Sequence, residues 1–119
     1  MGRVQDAVRI HEDATERLRS ILGESHKRYH SQLYALAGAL SAAGRFEEAA
    51  GRLEQCKLGM ILSSSEKSQG RMQSPDYFRV VLELAAVRLR MGEPMAALEL
   101  GVEARDGLAQ IDELRGLQA

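Results

Sequence analysis

Apolar residues recur at helical spacing along almost the whole chain, and the pattern predicts five helices. The first stripe is Val4, Ala7, Val8, His11, Ala14, Leu18, Ile21 and Leu22, and it stops at Gly23, a residue suited to a helix C-terminus. A second helix is predicted from about Lys27 to Ala43, with Leu33, Leu36, Ala37 and Leu40 on one face and Gly44 as its stop. A third follows at once, from about Arg45 to Leu62, with Phe46, Ala49, Ala50, Leu53, Cys56 and Leu58. Periodicity then ends in the polar run Ser63-Ser64-Ser65-Glu66-Lys67-Ser68-Gln69-Gly70-Arg71, which predicts a loop over 63–73. Ser74-Pro75-Asp76 restarts order, with Ser74 as cap, Pro75 in the first helical position and Asp76 complementing the dipole. The fourth helix spans about Pro75–Met91 and stops at Gly92, and the fifth runs from Pro94 to about Leu114.

Composition supports an all-α reading. Aromatic residues make up 4% of the 119, with two Phe, three Tyr and no Trp. A core of Ala, Leu, Val and Met suits close helix–helix packing and fits a sheet sandwich poorly. Sixteen Lys and Arg against 17 Asp and Glu leave a net charge of −1. The signs are interleaved, so no basic stripe predicts a nucleic-acid footprint. One cysteine excludes an internal disulfide and a cysteine-only zinc site. No run of eighteen apolar residues predicts a membrane span, and Met1–His11 carries charge where a signal peptide has its apolar stretch. The expected location is the cytoplasm.

The chain also repeats internally. Gly2, Gly44 and Gly92, read as turn glycines, stand 42 and 48 residues apart. Five residues after each comes an alanine (Ala7, Ala49, Ala97), and twelve after, a small residue (Ala14, Cys56, Ala104). Leu36-Ala37 and Leu84-Ala85 precede the second and third glycines at matching distance. Small residues are needed where helices approach to about 8 Å. Leu36-Ala37, Gly44, Phe46, Ala49, Leu53 and Cys56 together resemble the tetratricopeptide repeat (TPR). The spacing of 42 and the segment Leu22-Gly23-Glu24-Ser25-His26 resemble the kinesin-light-chain subtype, with Lys27 where that subtype has proline. In the last unit Pro94 stands in the aromatic position and Gly101 where a large apolar residue is usual.

The resemblance implies a right-handed α-α superhelix of about two and a half helical hairpins: a partial unit over 1–26, a unit over 27–62, the loop 63–73, and a unit over 74–115. Stacked repeats need neighbours to bury their faces. The expectation is therefore a piece of a longer array, with a small self-associating protein (joined through uncapped repeat ends) and a free-standing monomer as alternatives. The family's use of its concave face implies a non-catalytic scaffold that binds a peptide or partner helix. The rival reading is a regulatory or sensor segment of a larger signalling or transcription-regulating protein. The implied groove residues are Ser31, Tyr34, Gly38, Ser41 and Ala42 from the second helix, and Arg79, Leu82, Ala86, Leu89 and Arg90 from the fourth. The fourth helix is apolar nearly all round, which predicts burial, by a partner or in the groove. TPR clamps that use Asn have no counterpart here, because the chain contains no Asn; Ala35 and Glu83 stand at the places where the family has it.

The remaining chemistry reads as structural. His26 and His30 have metal-like spacing, but turn geometry for His26 and surface exposure for His30 are the expectation. His11 lies on an apolar stripe and is expected to be packed. Cys56, at a small-residue position, is expected to be an inert buried thiol. Glu47-Glu48 and Asp112-Glu113 read as solvated faces, and Ser74-Pro75 as a cap before a phosphorylation site. No nucleophile elbow, phosphate loop or segregated carboxylate pair occurs, so no catalytic residue, metal or cofactor is expected.

Overall fold

The computed structural model describes residues 2–68 and 75–118, and among these the chain is all-helical. The five helices are α1 (Gly2–Leu22), α2 (Lys27–Ala42), α3 (Phe46–Ser68), α4 (Pro75–Arg90) and α5 (Pro94–Gln118). Each packs against the helix before it and the helix after it. The body measures 50 × 36 × 22 Å with a radius of gyration of 15.3 Å, against about 13 Å for an evenly rounded domain of this size. The helices are therefore laid side by side in chain order. No helix is long and apolar enough to cross a membrane among the described residues.

Glycine makes the turns. Gly23, Gly44 and Gly92 hold φ of 88°, 77° and 79°, a left-handed conformation that costs a residue with a Cβ. The turns at Gly44 and Gly92 close with the same bonds. Gly44 N–H donates to Ser41 O at 3.0 Å and Arg45 N–H to Leu40 O at 2.9 Å; Gly92 N–H donates to Leu89 O and Glu93 N–H to Arg88 O, both at 3.0 Å. This is the Schellman arrangement, repeated at an interval of 48 residues. The turn before α2 is built differently. There the His26 ring caps the helix, its Nδ1 accepting from Arg28 N–H at 3.0 Å. Gly2 is not a turn glycine: it is the first residue of α1 and has no left-handed φ. The first unit keeps its register only through Ala7 and Ala14, which pack half-buried.

The core follows from the predicted stripes. Val8 of α1, Leu33, Leu36, Ala37 and Leu40 of α2, Ala49, Ala50, Leu53 and Cys56 of α3, and Val80, Leu84 and Val87 of α4 form one cluster. A second cluster joins Tyr77, Phe78 and Val81 of α4 to Ala104 of α5. The repeat residues Leu36, Leu84, Ala49, Cys56 and Ala104 are all buried, as their small or space-filling roles require.

The structure departs from the sequence reading over 63–68. These residues continue α3 rather than forming a loop. Ser63 bears on why the helix continues: its Oγ lies 2.8 Å from Gly59 O and 3.1 Å from Ser25 O, so its single proton is shared between a carbonyl one turn back and one in the α1–α2 turn. The rest of the predicted loop and the Ser74 cap lie outside the described residues. At the other end α5 runs past Leu114 to Gln118, with Arg115 in the last turn, where a cation suits the helix dipole.

The 48-residue interval also carries a feature that the motif reading missed. The His30 ring lies on Gly59 and the Phe78 ring on Gly107. A Cβ at Gly59 would stand 2.7 Å from His30 Nε2, and one at Gly107 2.1 Å from Phe78 Cζ. In each hairpin a buried ring from the first helix thus occupies the space that a glycine leaves on the second.

Candidate functional site

The turn at Gly92 folds α5 back along α4 and leaves an apolar cleft between them, of about 450 Å³. From α4 it is lined by Ala85, Ala86 and Leu89; from α5 by Pro94, Ala97, Leu98, Gly101, Val102 and Arg105. The floor is made of small residues and the walls of large ones. Leu89 and Leu98 are 59% and 58% exposed, and Val102 is also solvent-facing. Single exposed leucines are ordinary, but a contiguous apolar surface marks an interaction site.

The internal register gives the cleft its meaning. Forty-eight residues earlier, Ala37, Ala49, Ala50 and Leu53 stand where Ala85, Ala97, Leu98 and Gly101 stand here. Those four residues are buried, in one core with Val80, Leu84 and Val87 of α4, while Gly38 and Glu54, the counterparts of Ala86 and Val102, are exposed. The α2–α3 hairpin is covered by a helix, whereas the α4–α5 hairpin presents the matching face to solvent.

The structure brings only part of the sequence-predicted groove together. Ala86 and Leu89 line the cleft, and Leu82 is exposed one turn earlier on the same helix. Leu82 and Leu89 are thus exposed, so among the described residues the all-round apolarity of α4 is not satisfied by its own core. Tyr34 lies on the α2 side of α4, half-buried against the first core, and burial raises its phenol pKa above the usual value, with Glu83 adding to the rise and Arg79 opposing it. Arg79 is exposed and pairs with Asp76 at 3.7 Å. Arg90 does not reach the cleft lining: its guanidinium carbon sits 5.8 Å from the centre of the Phe46 ring, a cation–π contact beside the Gly44 turn. Ser41 is half-buried beside that turn. Ser31, Gly38 and Ala42 are exposed on α2.

Polar side chains fasten the hairpin that bears the cleft. Tyr77 O–H donates to Glu103 Oε2 at 2.9 Å, and Lys57 Nζ donates to Glu103 Oε1 at 3.3 Å, linking α3, α4 and α5. Burial pushes the Tyr77 phenol pKa well up, and the bond to Glu103 adds to the shift. Arg88 spans Glu54 of α3 at 3.3 Å and Glu93 of the turn at 3.1 Å. Arg88 and Glu93 are five residues apart, but sequence reading could not pair the others, because 26 to 46 residues separate the partners.

His30 is a correction. It is 7% exposed, not a surface residue. Its Nε2–H donates to Glu24 O at 3.0 Å, and its own carbonyl accepts from Cys56 Sγ at 3.3 Å. The hollow over Gly59 draws the ring in. Burial lowers the His30 pKa, the Glu24 bond opposes that, and His26 lowers it further. The folded state therefore favours the neutral ring, and the unfolded state binds more protons as the pH falls below about 6.5. Stability should be level above that pH and decline below it. His30→Phe, which copies Phe78, should flatten the decline; urea midpoints between pH 8 and pH 5 measure both.

Cys56 is buried and its thiol is pushed up to about 11 by desolvation, which disfavours the thiolate. His11 is half-buried, its Nδ1 accepting from Gln32 at 2.9 Å. No group of three His, Cys, Asp or Glu among the described residues is placed to hold a metal ion. No family model matches the chain, and no curated protein matches it either.

Proposed function

We propose that the chain is a non-catalytic, cytoplasmic protein–protein interaction scaffold, a short right-handed TPR-like array that binds a partner through the apolar face of its α4–α5 hairpin. The single observation that carries this reading is the apolar cleft between Leu89 and Leu98, in which Ala85, Ala97, Leu98 and Gly101 hold the register of four residues that are buried one hairpin earlier. The TPR-like reading is supported by the twin glycine turns and the buried Leu36-Ala37 pair, with Leu84 in the same register. Affinity then comes from burying Leu82, Leu89, Leu98 and Val102.

The test begins with affinity capture and identification of what is bound. The purified partner is then titrated against the wild-type chain and a Leu89→Glu, Leu98→Glu double variant. Both side chains are exposed, so the melting temperature should stay nearly unchanged, while affinity should fall at least about tenfold, as expected when apolar anchors become charged. A chain that captures nothing, or a partner indifferent to both changes, overturns the reading.

A further inference from the structure

We infer that the joint between α1 and α2 is a proton-sensitive latch: proton uptake by its histidines releases α1 from α2 while α2 to α5 stay packed. All three histidines of the chain stand at this joint, His11 on α1, His26 in the turn and His30 in the first turn of α2.

Two of them hold the joint through a ring lone pair. His26 Nδ1 accepts from Arg28 N–H at 3.0 Å and so caps α2. A backbone N–H can only donate, so this nitrogen carries no proton. His11 Nδ1 lies 2.9 Å from Gln32 Nε2, and the same amide nitrogen lies 3.3 Å from His11 O. A carbonyl can only accept, which makes the Gln32 amide the donor to both and leaves His11 Nδ1 as an acceptor. An imidazolium has a proton on both nitrogens. Protonation therefore removes the cap from α2 and the bridge from α1 to α2, and in each place sets N–H against N–H.

His30 contributes through burial. Its Nε2–H donates to Glu24 O at 3.0 Å and its ring lies on Gly59, so it ties the turn to α3. Burial holds the ring towards its neutral form; the bond to Glu24 O opposes this and His26 adds to it.

The charged groups around the joint give an imidazolium no partner. No ion pair among the described residues involves a histidine. On α1, Glu16 pairs with Arg19 at 2.9 Å, and Glu48 of α3 pairs with Arg45. Arg45 also feels Glu12, while the Glu24 carboxylate acts on Arg19 and Tyr29. The carboxylates are thus turned to arginines. Lys27 and Arg28 of α2 are exposed cations, and Arg52 of α3 is a half-buried one. The Cys56 thiol, against His30 O, is pushed up to about 11 and stays neutral.

Little else fastens α1. It buries two residues, Val8 and Thr15, and the Thr15 hydroxyl turns back to His11 O at 2.6 Å. Its main packing is against α2. By contrast Leu33, Leu36 and Leu40 of α2 share their core with α3 and α4, and that core holds α2 in place when α1 leaves.

The test is amide hydrogen exchange of the full chain at pH 8 and pH 5, read as protection factors so that the intrinsic rate of exchange divides out. Imidazoles titrate in this range and ordinary carboxylates below it. Protection should fall at least about tenfold in α1 and over residues 27–33, and less than threefold in α4 and α5. Two substitutions remove the titrating groups. His26→Asp keeps a cap acceptor on an exposed site, and His30→Phe copies Phe78 on its glycine. In the double variant the loss in α1 should be at least threefold smaller than in wild type. His26→Asp alone should move it in the same direction, and it decides the matter if the double variant does not fold. Unchanged protection in α1 at pH 5, or an equal loss in α1, α4 and α5, overturns the inference. So does a loss in α1 that His26→Asp and the double variant leave as large as in wild type.

Discussion

Ala49→Trp should unfold the chain or leave it close to unfolding. Ala49 is completely buried where α2, α3 and α4 meet, in one cluster with Leu36, Leu53 and Leu84. Close-packed interiors have no room for an indole there. Overpacking a good core costs about 1–3 kcal/mol for a few added methylenes, and an indole adds far more, so a loss of at least about 3 kcal/mol is expected. For a chain of this length that lowers the melting temperature by about 10 °C or more. Circular dichroism melts of wild type and variant measure it. An unchanged melting temperature would mean that the small residues at the repeat positions are not packing contacts, and the repeat alignment would lose its physical basis.

Gly107→Leu should be the second large effect, and it has an internal control. Gly107 and Gly101 lie six residues apart on α5, and both give up helix propensity relative to a residue with a side chain, by about 1 kcal/mol. At Gly107 the new Cβ would fall 2.1 Å from Phe78 Cζ, and Phe78 is itself buried against Ala104 and its neighbours. The ring must leave its site. The expected cost is about 2–4 kcal/mol, an overpacking penalty only partly offset by propensity. At Gly101 nothing stands within 4 Å, so Gly101→Leu should raise stability by up to about 1 kcal/mol. Urea denaturation of the two variants should shift the midpoint in opposite directions. Two shifts of the same sign would refute the ring-on-glycine packing.

The helices themselves were legible, because their punctuation is chemical. Gly23, Gly44 and Gly92 stop helices for a reason that needs no tertiary contact: each occupies a left-handed φ. Pro94 opens α5 in the position a proline tolerates. The Ser63–Ser68 stretch misled because serine's low helix preference reflects competition for the backbone, and Ser63 resolves that competition by returning its hydroxyl to the carbonyl one turn back. His30 misled for a different reason. Its burial depends on Gly59, 29 residues away, and a lone histidine carries no sign of the hollow it fills. The signal was present all the same: Tyr29-His30 and Tyr77-Phe78, and Gly59 and Gly107, obey the 48-residue interval already visible in the turns.

The candidate site was legible by half. Leu82, Ala86 and Leu89 are marked by an α4 with more apolar residues than one core can use, and the structure leaves Leu82 and Leu89 uncovered. The α5 wall was not foreseen. Leu98 and Val102 fall at no repeat position, and Gly101 reads as a departure from the repeat, until the fold places all three along one cleft. The contact of Arg90 with Phe46 was not legible, because Phe46 lies 44 positions back, just after the Gly44 turn.

The neighbour-by-neighbour packing of the helices has a kinetic consequence. Each helix finds its main partners in the elements just before and just after it, so most native contacts require the closure of short loops. The search for the fold can start at any of the three glycine turns and spread outwards, and an error in one hairpin is felt first by the hairpin beside it.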